Sequence, residues 1–192
     1  GRRGRYAAAD VIVAAGAWSS VIAGVPRPIA VAPVRGQMAA FPWPSGARRA
    51  IVYGRGGYLV ARGDEAIAGS TMEYAGFDRH VTPAGLAQVF ASAAALCPAL
   101  SGAEARRTWA GLRPVTPDGL PIMGAEPRLQ GLWYATGHGR NGILLAGLTG
   151  LLMRRLLEGS LAELEEVGAN LGRHLRTLTP DPERLENIEQ RI

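Results

Sequence analysis

The feature that most constrains this chain is the block Gly-His-Gly-Arg-Asn-Gly at residues 137–142. It follows a strand-like run at 132–136 and precedes an apolar helical pattern that starts near Ile143. A strand that leads through a glycine-rich turn into a helix brings free backbone N–H groups and the positive end of the helix dipole to one point. The block therefore predicts a cradle for an anion or a cofactor.

A second block lies about 25 residues upstream. Trp-Ala-Gly-Leu-Arg-Pro at 109–114 ends an extended segment with Arg113, and a turn-rich stretch follows at 116–124. An arginine fork can bind a planar carboxylate through two parallel charge-assisted hydrogen bonds. A structural ion pair of Arg113 with Asp118 is the alternative interpretation. The two blocks together indicate a flavin site.

With these blocks the chain resembles the FAD-dependent D-amino acid oxidase superfamily, and most closely its glycine oxidase branch, the thiamine-pathway enzymes. Several matching blocks in the right order are more specific than any one of them. The resemblance covers roughly residues 9–158. Its further blocks are Ala-Asp-Val-Ile-Val-Ala-Ala-Gly-Ala-Trp-Ser at 9–19, Pro-Val-Arg-Gly-Gln at 33–37, Tyr-Leu-Val-Ala-Arg at 58–62 and Gly-Ser-Thr-Met-Glu at 69–73.

The resemblance implies a mixed α+β fold, the C-terminal half of a two-domain flavoprotein. An antiparallel-sheet substrate domain is joined to the terminal strands and helix of a Rossmann-like FAD domain. The expected domains are the end of the FAD-binding domain at 1–32, the substrate-binding sheet with one helix at 33–112, a return to the FAD-binding domain at 113–159, and a helical tail at 160–192.

Patterns in the residues agree with this division. Short extended runs separated by Pro, Gly and Asp turns favour an antiparallel sheet after residue 29, and 10–15 is typical of a buried strand in a parallel sheet. Thr82-Pro83 predicts a helix start, with a capping hydroxyl and a proline in the first turn, and Pro98 ends that helix. The antiparallel strands are predicted at 29–41, 50–53, 58–61 and 65–70.

Members of the family open with a strand, a Gly-x-Gly-x-x-Gly turn and a helix that hold the FAD pyrophosphate. We expect this fingerprint to be missing from the chain, because the candidate at 54–57 precedes a strand-like run and predicts a hairpin turn. The expected partners are therefore a small amino acid substrate and either a missing N-terminal FAD-binding half or a second copy of the chain.

The site residues follow from the resemblance. Arg113 and Tyr58 would anchor the substrate carboxylate, and Arg140 would lie near the flavin ring and the substrate. Without the resemblance, Tyr58 is typical of a core or interface residue and His138 of a turn residue with no catalytic part. Related glycine oxidases can carry histidine where this chain has Gly56, which bears on substrate preference. The residues expected to hold FAD are Gly16, Trp18, His138, Gly139, Arg140, Asn141, Gly142, Ile143 and Leu144.

The implied reaction is oxidative deamination of glycine or a small D- or N-methyl amino acid. Hydride passes from the α-carbon to flavin N5, the imine hydrolyses, and oxygen is reduced to hydrogen peroxide. One alternative is a D-amino acid dehydrogenase or a sarcosine oxidase-like enzyme. Another is a non-catalytic fragment or subunit that lacks the Gly-x-Gly-x-x-Gly half.

Composition argues against other classes of function. The formal charge is +5, yet the 21 basic residues, all arginine, are scattered without a run of interleaved aromatics, which disfavours nucleic-acid binding. Three widely spaced histidines predict no metal site, and no apolar stretch reaches the roughly 20 residues of a membrane span. A single cysteine, Cys97, cannot form an internal disulfide, so a cytoplasmic location is expected.

Overall fold

The computed structural model of the chain describes residues 4–54 and 56–159. These residues form two compact units. The terminal unit joins the residues up to Ala32 with those from Arg113 onward, and the central unit is Pro33–Leu112. Two sheets with few helices confirm the predicted mixed α+β class. The tail predicted at 160–192 lies outside the described residues, and the functions assigned to the domains stay predictions.

The terminal unit contains three strands and a helix, which are β1 Val11–Val13, β7 Ile122–Ala125, β8 Leu132–Thr136 and α2 Gly142–Leu157. The strands form a mixed sheet in the order β1-β8-β7. The central strand β8 pairs in parallel with β1 and antiparallel with β7. A 3₁₀ helix at Gly16–Val21 follows β1, and another at Gly139–Asn141 lies between β8 and α2.

Strand β1 is less buried than its apolar sequence predicts. Val13 belongs to the core of the terminal unit, but Val11 and Ile12 are exposed. The physical reason is the position of β1 at the edge of the sheet, where β8 is its one neighbour among the described strands. The predicted parallel pairing is confirmed, whereas the predicted burial is wrong for these two residues.

A buried ion pair links the segment after the first 3₁₀ helix to the end of β7. Arg27 Nε donates to Glu126 Oε2 at 2.8 Å, and the Tyr134 hydroxyl donates to the same oxygen at 3.0 Å. Burial and this carboxylate raise the pKa of Tyr134 to about 12. Burial alone would raise the pKa of Glu126, but the hydrogen bonds from Arg27, the Arg128 amide and Tyr134 hold it below its ordinary value.

The central unit contains a five-stranded sheet in the order β3-β4-β5-β2-β6, with antiparallel pairing of β3 with β4, β4 with β5 and β5 with β2. Gly54 lies opposite Gly57, which confirms the predicted hairpin. Strand β6 begins in this unit and crosses its boundary at Leu112. The bounds are β2 Ala32–Pro42, β3 Ile51–Gly54, β4 Gly57–Arg62, β5 Glu65–Gly69 and β6 Arg107–Val115.

Helix α1, Pro83–Leu96, packs on one face of this sheet. The Thr82 hydroxyl accepts a hydrogen bond from the Gly85 amide, so the predicted cap is present. Glycine allows a close approach here, because a Cβ on Gly85 would overlap the side-chain amide of the fully buried Gln37. The shared core is Ala39, Phe41, Leu59, Ala66, Ala68, Val89, Ala93 and Leu100.

Candidate functional site

Two loops meet at one edge of the sheet of the terminal unit. Because β1 and β8 are parallel, their carboxyl ends lie at the same edge. The Gly16 loop (residues 16–19) follows β1, and the Gly137 loop (residues 137–142) follows β8. In open sheets that contain parallel strands, ligands bind in the crevice outside these carboxyl ends.

Two buried hydroxyl groups join the end of β8 to the Gly16 loop. Thr136 Oγ1 donates to the Gly16 carbonyl oxygen at 3.2 Å, and it lies 2.7 Å from Ser19 Oγ. Since the Thr136 proton is directed to the carbonyl, the Ser19 hydroxyl donates to Thr136. Both side chains are almost fully buried. The hydroxyl pair therefore fixes the two loops relative to each other.

Glycine is required where each loop turns. Gly16 and Gly139 both have φ of +56°, a left-handed conformation that other residues rarely adopt. A Cβ built on either residue would meet nothing within 4 Å. The space beside both backbones is therefore open to a ligand.

The start of α2 offers donors and apolar surface together. Asn141, the residue before the helix, makes no side-chain capping hydrogen bond, so the first-turn N–H groups have no side-chain cap. Ile143 and Leu144, in that turn, are 96% and 82% exposed, and Trp18 in the Gly16 loop is also exposed. Backbone donors beside apolar side chains suit an aromatic ring with a polar edge.

The Gly137 loop also has the spacing Gly-x-Gly-x-x-Gly between a strand and a helix. The expectation that this spacing is missing from the chain is therefore wrong. Residues 137–142 follow β8 and precede α2, which is the arrangement in which this spacing faces a ligand.

His138 connects the Gly137 loop to helix α2 and to strand β6. Its Nε2 lies 2.9 Å from Thr149 Oγ1 of α2, and its backbone forms an antiparallel bridge with Val115 at the end of β6. Burial lowers the pKa of His138, so the neutral ring is favoured. These contacts favour the interpretation of His138 as a turn residue that holds the loop in place.

Two arginines lie on the segments that the bridge joins. Arg113 is half-buried on β6, two residues before Val115, and Arg140 is exposed within the Gly137 loop. The terminal unit thus places two guanidinium groups on the segments around its glycine-rich loop. Such positive charge favours an anionic ligand.

Tyr58 belongs to the central unit. It is half-buried on β4, directly opposite Gly69 of β5, and its hydroxyl lies 3.9 Å from Met38 Sδ of β2. Its strand neighbours Leu59 and Val52 face α1, so alternation places Tyr58 on the other face of the sheet. Tyr58 therefore does not belong to the core that packs against α1.

Several residues at these places carried no sequence signal of their own. Ser19 and Thr136 are 117 positions apart, and nothing in the local pattern pairs them. Thr149, the hydrogen-bond partner of His138, lies 11 positions further on in a helix whose sequence pattern indicates only an apolar segment.

Within the described ranges, no group of three or more His, Cys, Asp or Glu residues is placed to hold a metal ion. None of the described helices is long and apolar enough to cross a membrane.

Comparison with known proteins identifies relatives over most of the chain. A family model described as FAD dependent oxidoreductase matches residues 1–156. The glycine oxidase of Pseudomonas putida is 40% identical over 159 residues, which are 82% of this chain and 44% of that protein. The hydrogen cyanide synthase subunit HcnC of Pseudomonas aeruginosa is 35% identical over 158 residues, 81% of this chain and 38% of that protein.

A solved structure agrees with these matches. The crystal structure of glycine oxidase from Geobacillus kaustophilus superposes with a TM-score of 0.74 at 38% identity, covering 80% of this chain and 42% of that one. The chain therefore spans less than half the length of the relatives it matches.

Replacing Thr136 by valine removes both hydrogen bonds of its hydroxyl while keeping its shape. We expect a loss of about 1 to 3 kcal/mol in the free energy of unfolding, because the buried Ser19 hydroxyl and Gly16 carbonyl lose their partner. Urea unfolding followed by tryptophan fluorescence measures it. Thr108→Val, at an exposed position of β6, is the control and should change stability by less than roughly 0.5 kcal/mol. Equal losses in both variants would refute the role of the hydroxyl pair.

The lowered pKa of His138 should make the free energy of unfolding depend on pH. Its pKa in the folded chain lies below the ordinary 6.5, so near and below that pH the unfolded chain binds more protons. The stability contributed by the neutral ring is present above pH 6.5 and is lost as the pH falls through the folded-state pKa. Unfolding free energies of the wild type and of His138→Gln, measured between about pH 7.5 and 5, should converge at the acidic end. A constant difference across that range would contradict the burial of the ring.

Proposed function

Because the chain belongs to the FAD dependent oxidoreductase family, we propose that it carries the flavin-ring loop and the substrate sheet of an amino acid oxidase. The proposed substrate is glycine or a small D- or N-methyl amino acid, and the thiamine pathway is the proposed setting. The similarity to glycine oxidases over four-fifths of the chain supports this assignment.

The observation that carries the proposal is the meeting of the Gly16 and Gly137 loops at one sheet edge. The open space beside Gly16 and Gly139 leaves room for a planar ring against the backbone. The N–H groups around the start of α2 are donors for its polar edge, and Trp18, Ile143 and Leu144 supply apolar surface. The residues present therefore fit a flavin.

The chemistry divides between cofactor and protein. FAD, when bound, would supply the two-electron acceptor for the hydride of the substrate α-carbon and the means of reducing oxygen to hydrogen peroxide. The donors of the Gly137 loop stabilise negative charge at the polar edge of the ring system. Being backbone groups fixed by the Thr136 and His138 hydrogen bonds, they need no rearrangement during the reaction.

Substrate binding is assigned to three side chains. Arg113, on the terminal unit, would hold the substrate carboxylate through its two parallel N–H donors. Tyr58, on the central unit, would contribute a phenol hydroxyl to substrate binding. Arg140, exposed in the Gly137 loop, would add positive charge close to the ring.

A second candidate is a subunit of a larger assembly. The relative HcnC is named as a subunit of hydrogen cyanide synthase, and a subunit role is the second proposal for this chain. In that case the same loops would bind the flavin together with a nucleotide-binding half on another chain. The two candidates assign the same residues to the flavin ring, and the second adds a nucleotide-binding half on another chain.

Replacing Arg113 by alanine in the FAD-loaded enzyme tests the carboxylate anchor. We expect the dissociation constant for glycine to rise roughly ten- to a hundredfold, since charge-assisted hydrogen bonds are lost, while the visible flavin spectrum stays unchanged. Anaerobic glycine titrations followed by flavin absorbance measure the affinity.

Arg62→Ala is the matched control, because Arg62 is an exposed arginine at the end of β4. It should leave glycine affinity within about twofold. If Arg113→Ala binds glycine as the wild type does, the assignment of Arg113 fails. If it loses the flavin spectrum, Arg113 belongs to the cofactor site instead.

A further inference from the structure

Three neighbouring strands place Tyr58, Gly69 and Met38 side by side. Tyr58 of β4 is directly opposite Gly69 of β5, and Gly69 is directly opposite Met38 of β2. Alternation along the strands puts all three on the face of the sheet that is turned away from α1. The tyrosine and the methionine therefore flank a position that has no side chain.

Tyr58 can adopt its position because Gly69 has no side chain. A Cβ on Gly69 would lie 3.0 Å from Tyr58 Oη, 3.2 Å from Tyr58 Cζ and 3.2 Å from Met38 Cγ. These distances are shorter than ordinary van der Waals contact, so any larger residue would push the end of the phenol ring aside. The hydroxyl end of Tyr58 thus occupies the space that Gly69 leaves empty.

Met38 closes the other side of that space. Its Sδ, 3.9 Å from Tyr58 Oη, is the one hydrogen-bond acceptor that the hydroxyl reaches among the described residues. A thioether sulfur is a weak acceptor. A carboxylate oxygen would replace it at a net gain, because hydrogen bonds to charged groups are stronger. The Tyr58 hydroxyl is therefore held in one place and can still form a stronger hydrogen bond to a carboxylate.

We infer that Gly69 and Met38 are positioning residues that set the phenol of Tyr58 for the substrate carboxylate. This inference rests on the proposed function, in which Tyr58 contacts substrate, and adds the two residues that determine where its hydroxyl lies. Gly69 acts by absence of a side chain and Met38 by contact with the phenol.

The test is a double-mutant cycle in the FAD-loaded enzyme. Gly69→Ala should raise the KM for glycine about three- to tenfold with a smaller change in kcat, because the displaced hydroxyl loses its hydrogen bond to the carboxylate. In the Tyr58→Phe background, which has no hydroxyl to displace, Gly69→Ala should add little further change. Met38→Ala should behave in the same way. Equal effects of Gly69→Ala in both backgrounds would overturn the inference.

The matched control is Gly111→Ala on β6. A Cβ at Gly111 would meet nothing within 4 Å, and its backbone does not have a positive φ. This variant repeats the chemical change in a strand without touching Tyr58, so its KM should equal that of the wild type. A KM raised to the same extent by Gly111→Ala would assign the effect to general strand destabilisation and overturn the inference.

A spectroscopic readout separates this inference from the proposed function. With ¹³C-labelled tyrosine and Tyr58→Phe for assignment, the ring resonance of Tyr58 should shift in Gly69→Ala and stay in place in Gly111→Ala. An unmoved resonance in Gly69→Ala overturns the positioning role even if Tyr58→Phe raises the KM. A shifted resonance with a KM unchanged in Tyr58→Phe overturns the substrate role of Tyr58, and with it the purpose of the positioning.

Discussion

The parallel pairing of β1 with β8 is the constraint on which the site depends. Residues from the two ends of the described sequence meet because these strands run side by side in the same direction. Their carboxyl ends then deliver the Gly16 and Gly137 loops to one edge, and the Thr136 and Ser19 hydroxyls fix the loops there. Each such hydrogen bond contributes only about 1 kcal/mol net, yet leaving either buried hydroxyl unpaired would cost more. The geometry of the cradle is thus set by backbone direction first and by buried polar groups second.

The central unit carries Tyr58 on one face of its sheet, and helix α1 covers the other face. Gly85 permits the close contact of α1 with the sheet. The side-chain amide of Gln37 holds the start of this helix through hydrogen bonds with Thr82 and Glu73. Arg35 ties the same region with ion pairs to Glu73 at 2.6 Å and Asp78 at 2.7 Å. This polar network stiffens the strand that carries Met38. A rigid platform of this kind suits a side chain whose hydroxyl must stay in one place.

Local sequence signals predicted most of the elements. Turn residues and alternation located the antiparallel strands, Thr82-Pro83 located α1, and the glycine-rich block located the start of α2. Contacts between distant residues were beyond such signals. The pairing of Ser19 with Thr136 depends on strand order, and the exposure of Val11 and Ile12 depends on which strand ends the sheet. The contact of Tyr58 with Gly69 and Met38 depends on register across three strands, which alternation within one strand does not specify.

In the proposed flavin site, the Gly16 and Gly137 loops together would hold the flavin ring. Backbone amide resonances, recorded by NMR on ¹⁵N-labelled protein before and after addition of FAD, test it residue by residue. We expect the largest shifts to cluster at residues 16–19 and 137–144 and to spare the face of the central sheet that packs on α1. Shifts concentrated elsewhere, with both loops unmoved, would contradict it.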